Sequence, residues 1–479
     1  MAFNSLAFVC VLPLFVLLYW CLPARPRLWA TLVASYAFYG VWDYRFLALI
    51  WISTAVDYVV GLRLDALRNA AMRRCCLLVS VAVNIGLLGV FKYFHFFAES
   101  LQTLAAGLGM RVDPVTLEIV LPVGISFYTF QTLSYTIDVY RRDQAPERDW
   151  LRFATYVAYF PQLVAGPIVR AKDLLPQLTG EQRFDGGQFE EGFARIVCGF
   201  FKKLVIADTI AIVVDPLFEF PGGYGTLNTL LLVCLFAVQI YADFSGYTDI
   251  AIGVSLWLGI RLPENFKSPF FSRSMSEFWR RWHCTLSNWL RDYVYIPLGG
   301  SRHGAIRTAI SLLTTMTLGG LWHGANWTFL IWGVIHGGIL VIERQFRQWH
   351  KPSHRVGAAT RNLLSLPSSV VGPAYVVGVF VMTGVLFRSE SLSQSLEIFQ
   401  RIVAMEGLSA SALHNRVPLL KALGLAAIFM AAEGIQEVPP IREWLQARSF
   451  WRPTVAALAL WAIALFGTYG GNAFVYFQF

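Results

Sequence analysis

The sequence predicts an all-α protein that crosses a membrane many times. Of its 479 residues, 56% are hydrophobic and only 14% are charged, whereas soluble proteins carry about 25% charged residues. The mean hydropathy is +0.53, and apolar stretches recur along nearly the whole chain. A helix needs roughly 20 apolar residues to cross the hydrocarbon layer, so we expect about 11 to 12 transmembrane helices plus re-entrant or interfacial helices. No soluble domain or internal repeat interrupts the pattern, which predicts a single membrane-embedded domain over 1–479.

The expected helices follow the apolar stretches in chain order. The first stretch has no positively charged residues before it and no small-residue cleavage site, so we expect a retained membrane segment rather than a removed signal. The stretches are 6–22, 28–41, 46–62, 75–97, 119–138, 153–169, 195–214, 227–259, 306–320, 326–342, 370–387, 418–434 and 454–475.

The loops between these stretches divide by charge, which predicts their sides of the membrane. Lys and Arg mark cytoplasmic loops. The basic segments are 63–74, 141–152, 261–307, 344–361 and 442–452. The segments poor in Lys and Arg are 99–118, 215–226 and 389–416. Because the basic residues are scattered between spans, we expect the net charge of +9 to reflect this orientation and not nucleic-acid binding.

The stretch 153–169 breaks the alternation of sides. If it crossed the membrane, the next stretch could not reach the loop at 215–226 from the cytoplasm. Its residues Tyr159-Phe-Pro-Gln-Leu-Val-Ala-Gly-Pro167 include two prolines and a glycine. Proline removes a backbone donor and breaks helices, and irregular backbone at membrane depth is tolerated only against protein or a wet cavity. We therefore expect a re-entrant element.

The stretch 227–259 is too long for one straight span, and its middle is polar. Between Gln239 and Asp249 lie two carboxylates and several hydroxyls. Ionisable groups inside the membrane usually face the protein interior, which favours a break in this helix. The alternative is one long tilted helix whose polar face packs on neighbouring helices.

The longest polar and aromatic block covers 261–300. Within it, Ser276 to Asp292 has the spacing of a helix, with Ser276 as a possible cap and His283 in the middle. One interpretation is an interfacial helix anchored by Arg280 and Arg281, since Trp and Arg are typical of the lipid–water boundary. The other is that these arginines hold an acidic or phosphate-bearing carrier.

A second histidine lies 40 residues later, in a predicted membrane hairpin. Leu321-Trp-His323-Gly-Ala-Asn-Trp327 joins two apolar helices. Imidazole is the side chain best suited to proton transfer near neutral pH, and the flanking glycines permit close approach of a substrate or another backbone. We expect Trp322 and Trp327 to wall a pocket and Asn326 to orient the ring or an oxyanion. A structural hydrogen bond is the alternative role for His323, and His336 is expected to be a packing or supporting histidine.

Other kinds of site lack support in the sequence. No HExxH pattern is present, and the candidate histidines lie 40 and 13 residues apart, so no metal site is expected. The serine-nucleophile pattern GxSxG and glycine-rich nucleotide loops are absent as well, which argues against these two kinds of chemistry.

Several long motifs together resemble the membrane-bound O-acyltransferase family, in particular its bacterial branch that O-acetylates alginate. They cover nearly the whole chain. The motifs are Gln131 to Tyr140, Tyr159 to Ile168, Tyr241 to Ile250, Pro263 to Gly300, Leu321 to Ala325 and Tyr476 to Phe479.

The resemblance implies a catalytic site around a central tunnel. His323 matches the family's near-invariant histidine, and His283 matches its second active-site position. The first is then the general base for a hydroxyl, and the second positions the donor carbonyl or assists proton transfer. Residues expected along the tunnel or at the substrate are Trp279, Arg280, Arg281, Trp282, Asn288, Trp322, Asn326, His336 and Asp243.

The resemblance also implies substrates, partners and a location. The donor is expected to be a cytoplasmic acyl thioester, acetyl-CoA or an acyl carrier protein, with no bound cofactor. The acceptor is an exported polysaccharide such as alginate, or a serine of a periplasmic or membrane-anchored acetyltransferase partner, at a bacterial inner membrane. Acetylation of peptidoglycan or cellulose and D-alanyl transfer are alternatives. A transporter, or a structural subunit of an export complex, is the competing class.

Overall fold

Every regular element in the described part of the chain is helical, as expected for backbone that has to satisfy its own hydrogen bonds in lipid. The computed structural model describes residues 3–110, 119–349, 365–408, 416–446, 451–469 and 474–475. The motif Tyr476 to Phe479 lies outside them. The predicted all-α class is confirmed.

The helices follow the predicted stretches closely through the first half of the chain. They are α1 Leu6–Cys21, α2 Ala24–Asp43, α3 Leu47–Ala66, α4 Ala70–Leu88, α5 Phe94–Gly107, α6 Ile125–Arg141, α7 Trp150–Ala158, α8 Phe160–Leu163, α9 Ala171–Leu174, α10 Gly186–Phe200, α11 Asp208–Glu219 and α12 Thr226–Trp257.

The second half adds short helices and a long hairpin. Its helices are α13 Met275–Arg281, α14 Cys284–Leu290, α15 Gly304–His323, α16 Trp327–Trp349, α17 Ser365–Arg388, α18 Leu392–Val403, α19 Arg416–Gln436, α20 Pro439–Gln446 and α21 Trp451–Phe466.

The chain is a multi-pass membrane protein. Six segments of the described residues are long and apolar enough to cross a membrane. The first of them, Ala24–Ala66, contains both α2 and α3, which have 20 residues each. The prediction of about 11 to 12 spans also counts shorter and more polar helices, and it stays a prediction. The segments are Ala24–Ala66, Ala70–Gly107, Thr226–Trp257, Trp327–Gln348, Val370–Arg388 and Arg416–Gln436.

The helices form two compact units. The first contains Met1–Ile196 and Ile250–Pro263, and the second contains Val197–Asp249 and Glu264–Phe479. Both candidate histidines, His283 and His323, lie in the second unit. The single-domain prediction stays a prediction.

In the first unit, a buried carboxylate joins three helices. Asp57 of α3 is completely buried and accepts hydrogen bonds from Ser80 and Asn84 of α4 and from Thr136 of α6. The Asn84 Nδ2 and Thr136 Oγ1 contacts measure 2.8 and 3.0 Å. Buried polar groups are tolerated when they are hydrogen-bonded, so this network fixes how α3, α4 and α6 pack.

The backbone of 153–169 is irregular, as its two prolines and glycine indicated, whereas the re-entrant course of this segment stays a prediction. The chain forms the nine-residue α7, turns at Tyr159, and continues as the four-residue α8. A nine-residue helix is about 14 Å long, which is less than half of the hydrocarbon thickness. Nearly all of this segment is buried, so its irregular backbone is surrounded by protein.

The predicted break within 227–259 is wrong, and the alternative holds. α12 runs without interruption for 32 residues. Its carboxylates are matched by lysines from a preceding segment: Lys202 Nζ lies 2.8 Å from Asp249 Oδ2, and Lys203 Nζ lies 2.7 Å from Asp243 Oδ1. The helix needs no break because these partners compensate its charges.

The irregularity occurs instead in the segment that supplies the lysines. Phe201–Ala207 is π-helical and connects α10 to α11. Lys203 also contacts Asp208 Oδ1 at 2.9 Å, and Asp243 Oδ2 accepts the Val475 backbone N–H at 2.8 Å. Such wide turns are rare and are often found at functional or strained positions. Here the wide turn brings two consecutive lysines to carboxylates on the same neighbouring helix.

Candidate active site

His323 is the last residue of α15 and lies at the bend of the α15–α16 hairpin, as predicted. The two helices approach closely because glycines line their contact. A Cβ on Gly320 would lie 2.2 Å from the Phe329 carbonyl oxygen, and one on Gly333 would lie 2.5 Å from that of Met316. No larger side chain fits at these positions, so the glycines hold the bend, and with it His323, in place.

Asn326 caps the second helix of the hairpin and does not orient an imidazole. Its Oδ1 accepts the Thr328 backbone N–H at 3.0 Å, and its Nδ2 donates to the Glu390 carbonyl at 2.8 Å. The first bond is a capping bond, which satisfies a free backbone N–H in the first turn of the helix. The second bond joins the side chain to the backbone of Glu390. The side chain of Trp327 is 49% exposed, so it does not wall the pocket either.

Aromatic rings enclose His323. The imidazole is 6% exposed, and its centroid lies 5.0 Å from Trp322, 5.4 Å from Trp332 and 5.1 Å from Phe387, all edge-to-face. Aromatic rings on these sides keep water away from part of the imidazole, and water is what would hydrolyse a reactive acyl group.

His323 reaches open space on one side, where it lines a cavity of about 750 Å³. This volume is within the range of small-molecule sites, roughly 300–1,000 Å³. Trp279, Arg280 and Asn288, which were predicted from the sequence, line the same cavity.

Four arginines line this cavity, and two of them have no acidic partner among the described residues. Arg291 pairs with Asp292 at 2.7 Å and Arg347 pairs with Glu343 at 3.2 Å. Arg280 and Arg344 form no ion pair within the described ranges and leave their charge to the cavity. A cavity with unpaired guanidinium groups suits a phosphate-bearing or acidic ligand.

Arg281 lies elsewhere. Its guanidinium makes ion pairs of 2.8 Å with Glu277 and with Glu437, and it does not line the cavity. Consecutive residues of a helix point about 100° apart, so Arg280 and Arg281 do not share a face. The prediction that grouped them at the substrate is corrected for Arg281.

His283 interrupts the helix that was predicted from Ser276 to Asp292. α13 ends at Arg281, and His283 has a left-handed backbone with φ of 43° before α14 begins. The N-cap of α13 is Ser274 and not Ser276, since Ser274 Oγ accepts the Glu277 N–H. The helix breaks because the chain around Asn265 bonds to its backbone, with Cys284 N–H donating to the Asn265 carbonyl at 2.9 Å.

The side chain of Asn265 fixes the tautomer of His283. Asn265 Oδ1 accepts from the Thr285 backbone N–H at 3.3 Å and from its hydroxyl at 3.0 Å. The atom is therefore an acceptor, and His283 Nδ1, 3.1 Å away, must donate to it. His283 lies outside the six candidate spans, and burial lowers its pKa to about 3. The neutral ring thus carries its proton on Nδ1 and has its basic lone pair on Nε2.

The ring of Trp322 contacts both histidines. Its ring centroid is 5.7 Å from that of His283 and 5.0 Å from that of His323. His283 is completely buried and is not part of the cavity wall. His323 is therefore the one of these two histidines that a ligand in this cavity meets, while His283 contacts Trp322 and does not line the cavity.

His336 packs against two residues of the cavity wall. Thr383 Oγ1 donates to the Val379 carbonyl at 2.8 Å, so it accepts from His336 Nε2 at 3.1 Å. The imidazole contacts Trp332 and Trp279 at centroid distances of 4.5 and 5.3 Å. Both tryptophans line the cavity. The ring contacts of His336 therefore help to hold the two tryptophan side chains in position.

Asp243 and Trp282 lie away from the larger cavity. Asp243 is bound to Lys203 and to the Val475 N–H, and it does not line the cavity. Trp282 packs among phenylalanines, with Phe380 at 4.8 Å. The sequence reasoning missed Asn265, Trp332 and Arg344. The spacing of Trp332 and His336, four residues apart on α16, was the signal for a shared face.

Comparisons with known proteins identify the family of this chain. Residues 147–385, which include both histidines, match the model of MBOAT, the membrane-bound O-acyltransferase family. The chain is 41% identical over 446 residues to the "probable alginate O-acetylase AlgI" of Azotobacter vinelandii, covering 91% of this chain and 85% of that protein.

Two further relatives are similar over most of their length. The "probable alginate O-acetylase AlgI" of Pseudomonas putida is 37% identical over an alignment of 504 positions, which covers 100% of both chains. The "peptidoglycan O-acetyltransferase" of Helicobacter pylori is 33% identical over 413 residues, covering 81% of this chain and 75% of that protein. The chain therefore belongs to the membrane-bound O-acyltransferase family and is an acyltransferase similar to the alginate O-acetylases.

Proposed function

We propose that this protein moves an acetyl group from a thioester donor towards a hydroxyl outside the cytoplasm, for the O-acetylation of an exported polysaccharide such as alginate. The observation that carries the proposal is the position of His323, buried among aromatic rings yet on the wall of a cavity with unpaired arginines. The similarity to proteins named as alginate O-acetylases supports the polymer.

The reaction needs a base at the acceptor hydroxyl. The hydroxyl oxygen attacks the thioester carbonyl carbon, a C–O bond forms, and the C–S bond breaks. The neutral ring of His323 takes the hydroxyl proton and returns it to the departing thiolate, so that an ester and a thiol leave and the ring is neutral again. Proton transfer of this kind contributes about 10²–10⁴-fold to the rate.

The donor enters from the side of the four arginines. Acetyl-CoA carries phosphates, and an acyl carrier protein is acidic around its phosphate-linked prosthetic arm, so guanidinium groups suit both. The Lys and Arg residues of segments 261–307 and 344–361 support a cytoplasmic position for this opening. The protein then lies in a bacterial inner membrane.

His283 has a supporting role in the proposed mechanism and does not contact the reacting atoms. Because Asn265 holds the proton on Nδ1, Nε2 remains an acceptor in the shell around Trp322. A fixed neutral imidazole there positions Trp322 and assists proton movement without adding a charge to the dry site.

The acceptor is the polymer itself or a serine of an acetyltransferase partner on the outer side. Acetylation of peptidoglycan is the second candidate, since the Helicobacter pylori relative is named for it. Cellulose acetylation and D-alanyl transfer use the same chemistry. A transporter or a purely structural subunit needs no histidine on the cavity wall.

The test is genetic complementation followed by analysis of the polymer. The host's own gene is deleted, the unsubstituted protein is supplied on a plasmid, and ester groups on exported polysaccharide and on peptidoglycan are measured by proton NMR. Acetyl esters that return on the exported polysaccharide alone support the proposal. Esters that return only on peptidoglycan, or polymer export that fails without the protein, contradict it.

The unpaired arginines yield a prediction about donor affinity. Replacing Arg280 or Arg344 with glutamine removes a charge-assisted contact worth about 1.5–3 kcal/mol. We expect the KM for acetyl-CoA to rise about tenfold or more while kcat changes little, measured on purified protein by thiol release.

The matched control is Arg302→Gln. Arg302 is an exposed arginine of the same basic segment, and it does not line the cavity. An equal rise in KM for this variant would show that general positive charge is responsible, and would contradict specific binding by Arg280 and Arg344.

A second prediction concerns the tautomer of His283. Asn265→Leu keeps the approximate volume but removes the acceptor for Nδ1–H, so we expect kcat to fall about 10–100-fold with little change in KM, as for other supporting hydrogen bonds. Asn265→Asp keeps an acceptor oxygen and should retain more activity than Asn265→Leu. Equal loss in both variants, or loss that appears only in KM, would contradict the positioning role.

A further inference from the structure

His323 borders a second, much smaller void besides the larger cavity. This void measures about 10 Å³, and His323 and Trp332 line both spaces. Its other walls include Phe236 of α12 and Phe380 and Phe387 of α17. These two residues are the ones that the larger cavity and the small void share.

The small void has room for one small apolar group. A void of about 10–15 Å³ corresponds to a single water-sized sphere. Apart from His323, its walls are aromatic or aliphatic side chains and Gly384. They offer a ligand few hydrogen-bonding groups, so a methyl group is favoured over water.

The walls leave little freedom to enlarge this space. The centroid of Phe387 lies 5.1 Å from that of His323 and 5.6 Å from that of Trp332, and Phe380 lies 4.8 Å from Trp282. Interlocked rings of a close-packed interior yield only at an energetic cost.

We propose that this void is the acyl-end pocket, which receives the methyl group of the donor and restricts the enzyme to two-carbon acyl groups. The inference rests on the proposed function. With the methyl group in the void, the adjoining carbonyl carbon lies beside His323, at the boundary of the larger cavity. A longer acyl chain cannot place its carbonyl there without displacing Phe380 or Phe387.

The proposal assigns a role to Gly384. A Cβ on this residue would lie 3.5 Å from Phe236 Cδ1 and 3.6 Å from Phe236 Cε1, which is ordinary van der Waals contact. Alanine is therefore compatible with the packing of the helix, yet its methyl group takes up space in the void. One methylene in a hydrophobic pocket changes discrimination by about 10–200-fold.

The experiment uses two variants with opposite effects. Gly384→Ala fills the void, and we expect acetyl transfer to fall at least tenfold. Phe380→Leu widens it, and we expect the ratio of propionyl to acetyl esters to rise at least tenfold. Both are produced in cells that lack their own copy and are grown with and without propionate. The esters on the exported polysaccharide are counted by mass spectrometry, which needs no assumption about the thioester donor.

The matched control is Gly378→Ala on the same helix. A Cβ on Gly378 meets nothing within 4 Å and the residue is exposed, so acetyl transfer should stay unchanged. Membrane content of every variant is measured by immunoblot, and the melting temperature of each purified variant separates lost folding from lost selectivity.

The outcomes distinguish this inference from the function on which it rests. If the unsubstituted protein restores no ester, the proposed function fails and the pocket assignment with it. If acetyl esters return but Phe380→Leu leaves the propionyl ratio unchanged, or a well-folded Gly384→Ala keeps full acetyl transfer, the function stands and the acyl-end pocket is refuted.

Discussion

Replacement of His323 by alanine is expected to lower acyl transfer by about 10²–10⁴-fold, the usual contribution of a general base. The imidazole is the titratable group that borders both the arginine-lined cavity and the small aromatic void. Without it, the attacking hydroxyl has no base at this boundary. The acetyl esters on the exported polysaccharide are measured, and we expect them to be lost while polymer export stays intact.

His303→Ala is the control for this prediction. His303 precedes α15, at the opposite end of the helix that ends at His323, and it is exposed. It should retain full transfer and normal membrane content. Full acetylation by a properly inserted His323→Ala protein would exclude the base mechanism, and loss of polymer export in that variant would favour a transport role.

The largest effect on stability is expected from Lys203→Met. Lys203 is 1% exposed and lies 2.7 Å from Asp243 and 2.9 Å from Asp208. Its removal leaves two buried carboxylates without their cation, and breaking a buried ion pair costs about 3–5 kcal/mol. We expect a clear drop in the melting temperature of the purified protein in detergent, together with lower membrane content.

Two further variants test whether the lower melting temperature of Lys203→Met is caused by the unpaired carboxylates. Asp208→Asn combined with Asp243→Asn in the Lys203→Met protein removes the unpaired charges, so the melting temperature should recover in part. Lys421→Met, at an exposed position on α19, should leave it unchanged. A Lys203→Met protein as stable as the original would mean that the ion pairs contribute nothing to the fold.

The helical class and the His323 hairpin followed from local sequence. Long apolar stretches identify helices in a membrane whatever their partners are. The glycines beside His323 marked a tight bend, and both helices of the hairpin appear where the sequence predicted them. The prolines of 153–169 likewise identified the short, broken helices α7 and α8.

The predictions that failed depended on residues distant in the chain. α12 is unbroken because Lys202 and Lys203, some 40 residues earlier, match its carboxylates. The helix at His283 is interrupted because Asn265 bonds to its backbone. Neither partner can be identified from periodicity, which reports only local spacing.

The same limit explains which site residues were found. Trp279, Arg280, Asn288 and His323 were predicted and lie on the cavity wall, together with Arg344, which was not. Arg281, Asn326 and Asp243 have the residue types of a polar site but are bound to structural partners. Residue type indicated the chemistry, whereas the fold decided which side chains reach the cavity.

The most direct test of the account is a cryo-EM map of the protein with a non-hydrolysable acetyl-CoA analogue in which a methylene replaces the thioester sulfur. We predict its phosphates against Arg280 and Arg344 and its carbonyl within hydrogen-bond distance of the His323 ring, roughly 2.6–3.2 Å. An analogue bound outside this cavity, or a cavity filled by lipid with His323 out of reach, would contradict the mechanism.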